Sequence, residues 1–199
     1  MRILAIDASP KRGVVSMSVE AAARAAEAAG AQVEWVRLHD LDIRYCTGCN
    51  WCHSTGMCRT EDDLPTLVRR IAEADGVIFG TPAYFRRADD ATQAVLDRVA
   101  GYFGDNGQLR LPGLNVPQTP AAQRVRRAVV ITACSVPEPL ATFFGYSTGP
   151  VRQLRHALGA GGIKTVGSLS VASGWRSHPF DEWERDKATS LGRLLVGKI

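Results

Sequence analysis

Residues 2–13 read RILAIDASPKRG, and the reading of this stretch decides the fold. Arg2 to Asp7 is a short apolar run that stops at Ala8-Ser9-Pro10, a loop-forming triplet with Gly13 close behind. An apolar run of this length bounded by turn residues is a buried strand. Ser18 to Ala29 is alanine-rich with Glu20, Arg24 and Glu27 interspersed, and Gly30 stands at the stop position, so a helix is expected there. The unit is strand, polar loop, helix.

That unit recurs along the chain. Gln32 to Leu38 alternates as a strand does. Asp62 to Ala74 carries Leu64, Leu67, Val68 and Ile71 at helical spacing, with Asp62 and Asp63 where a helix dipole favours acids. Gly76 to Gly80 is a third buried strand ending at Thr81-Pro82, and Asp89 to Tyr102 is helical through Ala94, Val95, Leu96 and Val99. Ala128 to Ala133 and Thr165 to Val171 supply two more strands, with helices at Ser147 to Leu158 and Glu182 to Leu195. Between them residues 104–124, rich in Gly, Pro, Asn and Gln, form a long excursion, read as a lid, an interface arm or a mobile segment. Five apolar strands alternating with helices predict a single three-layer α/β domain over residues 1–199, its parallel sheet covered on both faces. Ligands of such sheets sit outside the carboxyl ends of the strands, which directs attention to the loops after Ile6, Phe79 and Ile131.

Composition narrows the function less. The 199 residues are 45% hydrophobic and 22% charged, which argues against a disordered or fibrous chain. The net charge of +4 comes from scattered arginines with only a short run at Arg124, Arg126 and Arg127, so no nucleic-acid partner is expected. No stretch approaches the ~20 apolar residues of a membrane span, and MRILAIDAS lacks a signal peptide's apolar region; a cytoplasmic protein with no membrane partner is expected.

The first loop offers hydroxyls at Ser9, Ser16 and Ser18, cations at Lys11 and Arg12, and backbone amides at a helix start, a set that suits a phosphate or forms a plain capped turn. Neither GxGxxG nor GxxxxGK[ST] is present, which argues against dinucleotide-fold and P-loop readings. In the second loop, Gly80 to Arg87, Pro82 sets the backbone and Tyr84 and Phe85 offer a surface for a planar ring, with one of the two expected to point into the fold. Ala133 to Phe143 is expected to form the far wall of the same pocket.

Taken together, ASPKRGVVSMS after the first strand, CTGCNWCHSTGMC followed by DDL, then ADGVIFGTPAYF and a helix ending in Leu96-Asp97-Arg98 resemble the flavodoxin-like NAD(P)H-dependent FMN reductases, particularly their iron-sulfur flavoprotein branch. The resemblance implies a five-stranded flavodoxin-like sheet. It assigns FMN phosphate to Ser9, Lys11, Arg12, Ser16 and Ser18, and the isoalloxazine edge to Pro82, Ala83, Tyr84 and Phe85. It further implies NAD(P)H as cosubstrate, chemistry at flavin N5 with no catalytic side chain, a quinone-like, aromatic or other small acceptor or a redox protein, and a homodimer or homotetramer. Val14 and Val15 depart from the family's usual Asn, Gly and Thr. Arg86 and Arg87 replace small residues, and either reach a cofactor phosphate or anionic substrate or are surface arginines.

Cys46, Cys49, Cys52 and Cys58 follow the spacing C-x2-C-x2-C-x5-C. Four thiolates on one compact loop suit a cubane cluster, whereas structural zinc more often uses two separated cysteine pairs, and reduced cytosolic thiols disfavour a disulfide. The resemblance implies a 4Fe-4S cluster on these four residues, which would make the protein an electron-transfer flavoprotein; a broader set of flavin reductases carries such segments as structural loops. Cys134 is expected to be a small buried hydrophobe or pocket residue. Trp175, His178 and Phe180 either approach the flavin or a partner subunit or cover the sheet edge.

Overall fold

The computed structural model describes residues 1–99, 102, 126–172 and 180–197. The expected excursion at 104–124, and Trp175 and His178, lie outside the described residues. The chain runs β1 (Arg2–Asp7), α1 (Val14–Ala28), β2 (Gln32–Arg37), a 3₁₀ turn at Leu38–Asp40, α2 (Trp51–Thr55), α3 (Leu64–Glu73) and β3 (Gly76–Tyr84). It continues through β4 (Arg87–Ala88), α4 (Asp90–Val99), β5 (Arg126–Cys134), α5 (Leu140–Phe143), α6 (Thr148–Ala160), β6 (Ile163–Ala172) and α7 (Glu182–Val196).

Five strands pair in parallel in the order β2-β1-β3-β5-β6, while β4 pairs antiparallel with the end of β3. With β4 set aside, this is the strand order of flavodoxin-like sheets, as expected. The chain steps outward from β1 to β2 and then returns to the other side of β1, so the winding reverses between β1 and β3. The crevice at that reversal is where such folds bind ligands.

Side chains alternate along each strand and separate two cores. Ile3, Ala5, Ile78, Val129 and Ile131 pack with Val15, Val19 and Ala22 of α1 and Leu191 and Leu195 of α7. Leu4, Ile6, Val77, Phe79 and Val130 pack on the opposite face with Leu67 and Ile71 of α3, Val95 of α4 and Leu154 of α6. Both faces are dry over the central strands β1, β3 and β5, which is why these read as continuous apolar runs.

One boundary differs in a way that shapes the site. α1 begins at Val14, not Ser18. β-branched residues are poor helix formers, yet Val15 and Val19 are driven onto the sheet directly over Gly80. A Cβ added at Gly80 would stand 2.3 Å from Val19 Cγ2 and 2.9 Å from Val15 Cγ1. Tertiary packing overrides local propensity and shortens the first loop.

Candidate functional site

The first loop crosses the carboxyl end of the sheet at the reversal between β1 and β3. The Ala8 N–H donates to Gly80 O at 2.9 Å, joining the first loop to β3, and the Ser9 N–H donates to Asp7 Oδ1 at 2.9 Å. Ser9 is 4% exposed and its Oγ has no hydrogen-bond partner. A buried hydroxyl left without a partner carries a desolvation cost of about 1–3 kcal/mol, which a ligand oxygen would offset. Beside it, the intrahelical ladder of α1 opens with the Met17 N–H donating to Gly13 O at 2.9 Å. The N–H groups of Val14, Val15 and Ser16 therefore precede the ladder and form the positive end of the helix dipole. An orphaned hydroxyl in a loop that leads into an uncapped helix start fits a phosphate group.

The other predicted phosphate residues are placed differently. Ser16 Oγ donates to Lys11 O at 3.5 Å, and Lys11 itself is exposed. Arg12 turns away to Glu20, 2.9 Å from Oε2. Ser18 lies one turn inside α1, fully buried, and its Oγ also lacks a partner. The structure thus buries the Ser9 hydroxyl without a partner in the loop that leads into α1 and directs Arg12 to Glu20.

The second loop is a hairpin rather than an open loop. β3 continues past Thr81-Pro82 to Tyr84, and Ala83 and Tyr84 pair with Ala88 and Arg87 of β4. The turn residues Phe85 and Arg86 have φ of +46° and +68°. Positive φ at both central positions is what a tight two-residue hairpin requires, and bulky residues take it at a cost. The expectation that one aromatic points into the fold is corrected: Tyr84 is 53% and Phe85 87% exposed. The chain reverses at Phe85 before either ring can reach the core, and the inward position falls to Ala83 at 7%. Ala83 packs with Cys134 and Ala141, so the third loop does join the second, and Cys134 is the buried small residue expected. Burial pushes its thiol pKa up. Phe180, by contrast, is placed against the Arg185 guanidinium at 5.7 Å.

A polar network beneath this edge was not foreseen. Thr81 Oγ1 donates to Asp89 Oδ1 at 2.9 Å, and the Ala91 and Thr92 N–H groups donate to the same buried carboxylate, which caps α4. His39 Nε2 lies 3.0 Å from Ala8 O and 3.1 Å from Asp89 Oδ2. Two acceptors on one ring nitrogen require that nitrogen to carry the proton. One imidazole thus ties the first loop to α4 and, through Asp89, to Thr81. Nothing in the local sequence around His39 signals this.

The cysteine segment hangs beyond β2. Cys46 and Cys49 are exposed, and Cys52 and Cys58 are half-buried. Asn50 (φ +55°) and Gly56 (φ +71°) flank the single turn α2. The Trp51 amide is the largest influence on the Cys49 thiol and, with help from the Thr47 hydroxyl and the Arg59 charge, holds it below the ordinary range against the opposing effect of desolvation. Burial would raise the Cys58 thiol, but the Thr60 amide and hydroxyl and the Arg98 guanidinium outweigh it. Arg98 Nε donates to Cys58 Sγ at 3.3 Å and Nη1 to Arg44 O at 2.8 Å. The same guanidinium grips Asp62 through two bonds, the two side chains being 1% and 0% exposed. Asp62 and Arg98 stand within the DDL and LDR stretches, so the sequence marked the places but not the pairing. Among the described residues, no three His, Cys, Asp or Glu side chains are gathered closely enough to hold a metal ion. The thiols have the chemistry a cluster needs, but their placement here does not form its cage.

The strand order and the helices on both faces of the sheet define a flavodoxin-like protein. The sequence pattern of the NADPH-dependent FMN reductase family matches residues 1–110, and the chain belongs to that family. An iron-sulfur flavoprotein of Archaeoglobus fulgidus is 27% identical over 196 residues, covering 98% of this chain and 94% of that one. An iron-sulfur flavoprotein of Methanocaldococcus jannaschii is 32% identical over 99 residues, 49% of this chain, and the matched part spans only 51% of that relative. Among solved structures, a flavone reductase superposes with a TM-score of 0.73 at 19% identity, over 99% of this chain and 62% of that one. An NAD(P)H:quinone oxidoreductase from Methanothermobacter marburgensis gives 0.68 at 19% identity, over 100% and 96%. These two likenesses show the shared fold. No helix among the described residues is long and apolar enough to cross a membrane.

Proposed function

We propose that the protein is an FMN-dependent oxidoreductase that draws reducing equivalents from NAD(P)H and delivers them to a quinone-like, aromatic or other small acceptor in the cytoplasm. The observation that carries this reading is the buried, partnerless Ser9 Oγ in the loop between β1 and the uncapped start of α1, at the reversal of the sheet. Bound FMN supplies the acceptance and release of two electrons. The chain's own task is to bind and orient: Ser9 and the Val14, Val15 and Ser16 amides take the phosphate. In this reading the isoalloxazine edge lies against Pro82, Ala83, Tyr84 and Phe85 of the β3–β4 hairpin, the exposed Tyr84 and Phe85 offering ring surface. His39 and Asp89 hold the two loops at a set distance. The exposed Tyr84, Phe85, Phe143 and Phe144 supply apolar surface suited to a homodimer or homotetramer.

The test is an anaerobic spectrum of the purified protein with FMN counted per chain, followed by mixing with NADPH or NADH. One FMN per chain whose absorption bleaches with either nucleotide supports the reading, and a colourless protein that takes up no FMN overturns it.

A second reading is an electron-transfer protein with a 4Fe-4S cluster on Cys46, Cys49, Cys52 and Cys58. It is favoured by the cysteine spacing and by the names of the relatives, iron-sulfur flavoproteins. Iron and acid-labile sulfide near four each per chain would support it, and flavin without iron would leave the segment a structural loop.

A further inference from the structure

Beyond the flavin site, on the far side of the β3–β4 hairpin, lies a cleft of about 450 Å³ lined by Arg86, Gly145, Thr148, Gly149, Arg152, Gln153 and His156. It falls within the ~300–1,000 Å³ of small-molecule sites. Two guanidiniums and an imidazole line it and no carboxylate does. Arg86 and Arg152 form no salt bridge among the described residues, unlike Arg12 and Arg24, which both turn to Glu20. Cations lining one cleft repel one another, and an anion between them removes that repulsion.

The cleft is held in shape. Gly149 lies so close to the hairpin that an added Cβ would stand 2.1 Å from Arg86 O, which presses the Arg86 backbone onto the first turn of α6 in its left-handed conformation. Gln153 Oε1 accepts from the Ala88 N–H at 3.1 Å and fixes the returning strand to the same helix. His156 follows Arg152 by four residues and so shares its helix face. Backbone kept in a costly conformation by tight packing is found where it serves a site.

We propose that this cleft binds a phosphate dianion, with Arg86 and Arg152 as its paired forks and His156 beside them. The planar guanidinium matches two phosphate oxygens at once, which lysines at the same positions would not do. Two sources share this chemistry: the 2′-phosphate of NADPH, and free inorganic phosphate. The proposal does not depend on flavin chemistry, because the cleft lies outside the first loop.

The test is calorimetric titration of the FMN-loaded protein with inorganic phosphate and, separately, with adenosine 2′,5′-bisphosphate, repeated on Arg152→Gln and Arg86→Gln. Arg152 is exposed on α6, so its variant is expected to fold and keep its FMN content. The expected result is one site per chain, weakened at least tenfold in Arg152→Gln and weakened by added salt. Tighter binding of the bisphosphate than of phosphate assigns the site to the nucleotide, and equal binding assigns it to free phosphate. No binding of either probe, or binding that Arg152→Gln leaves unchanged, overturns the proposal. The flavin spectrum recorded on the same samples reports separately on the FMN reading.

Discussion

Arg98 Nε donates to Cys58 Sγ at 3.3 Å while the other end of the same guanidinium holds Asp62. The last cysteine of the loop is thereby anchored to α4, and the chain before α3 is clamped in the same contact. Removing the cation while leaving the buried carboxylate should be costly, about 3–5 kcal/mol by analogy with broken buried pairs. Arg98→Met is expected to lower the thermal midpoint strongly, and Arg98→Met with Asp62→Asn to recover part of the loss. If the single variant melts like the native protein, the clamp is not structural.

Acid should find the same clamp. Burial alone would raise the Asp62 carboxyl, but Arg98 and the amides of Arg44 and Leu64 outweigh it and hold it below its ordinary value of 3.8. A depressed carboxyl contributes stability that is fully present above the unfolded value and is lost as pH falls through the lower folded value. Urea midpoints are therefore expected to drop on acidification below about pH 4. The drop should be shallower in Asp62→Asn, and equal slopes in the two proteins would remove Asp62 as the cause.

Ser9→Ala tests the phosphate pocket without disturbing packing. Loss of one hydrogen bond of about 1–1.5 kcal/mol predicts FMN binding weakened roughly tenfold. Riboflavin, which has no phosphate, should bind both proteins equally. Equal weakening of both ligands in fluorescence titrations would mean that the hydroxyl acts on the ring or on the fold.

Gly80→Ala should displace the start of α1, because Val15 and Val19 leave no room for a methyl. Overpacking of this kind costs about 1–3 kcal/mol. FMN affinity is expected to fall together with stability, since the α1 amides move with the helix. Unchanged values of both would show that the valines repack freely.

Phe85→Gly separates strain from contact. A left-handed non-glycine residue costs about 1–2 kcal/mol, so the variant without FMN is expected to melt higher. If the Phe85 ring lies along the flavin, the FMN complex should be weaker despite the gain. A rise in both quantities would remove Phe85 from the flavin site.

The strands were legible because both faces of a covered parallel sheet are dry, and apolar runs such as ILAID and VIFG have no other stable place. Ser9 was legible as a hydroxyl in the loop after β1, but the burial of this hydroxyl without a partner was not. The outward placement of both Tyr84 and Phe85 was not legible, because sequence does not show that Phe85 and Arg86 reverse the chain. The start of α1 was obscured by Val14 and Val15, whose helical state depends on Gly80, some 65 residues distant.

The sequence by itself determined the alternation of strands and helices, the loops at the carboxyl edge and the cysteine spacing. All of these follow from local periodicity and from which residues tolerate burial or turns. Only the tertiary structure decided that His39 joins Ala8 to Asp89, that Arg98 anchors Cys58, and that Arg86 and Arg152 line one cleft without a carboxylate. Those pairings bring together residues 31 to 66 positions apart. Hydrogen bonds and charges act over a few ångströms of space, and the chain reports such distances only once the sheet has set them.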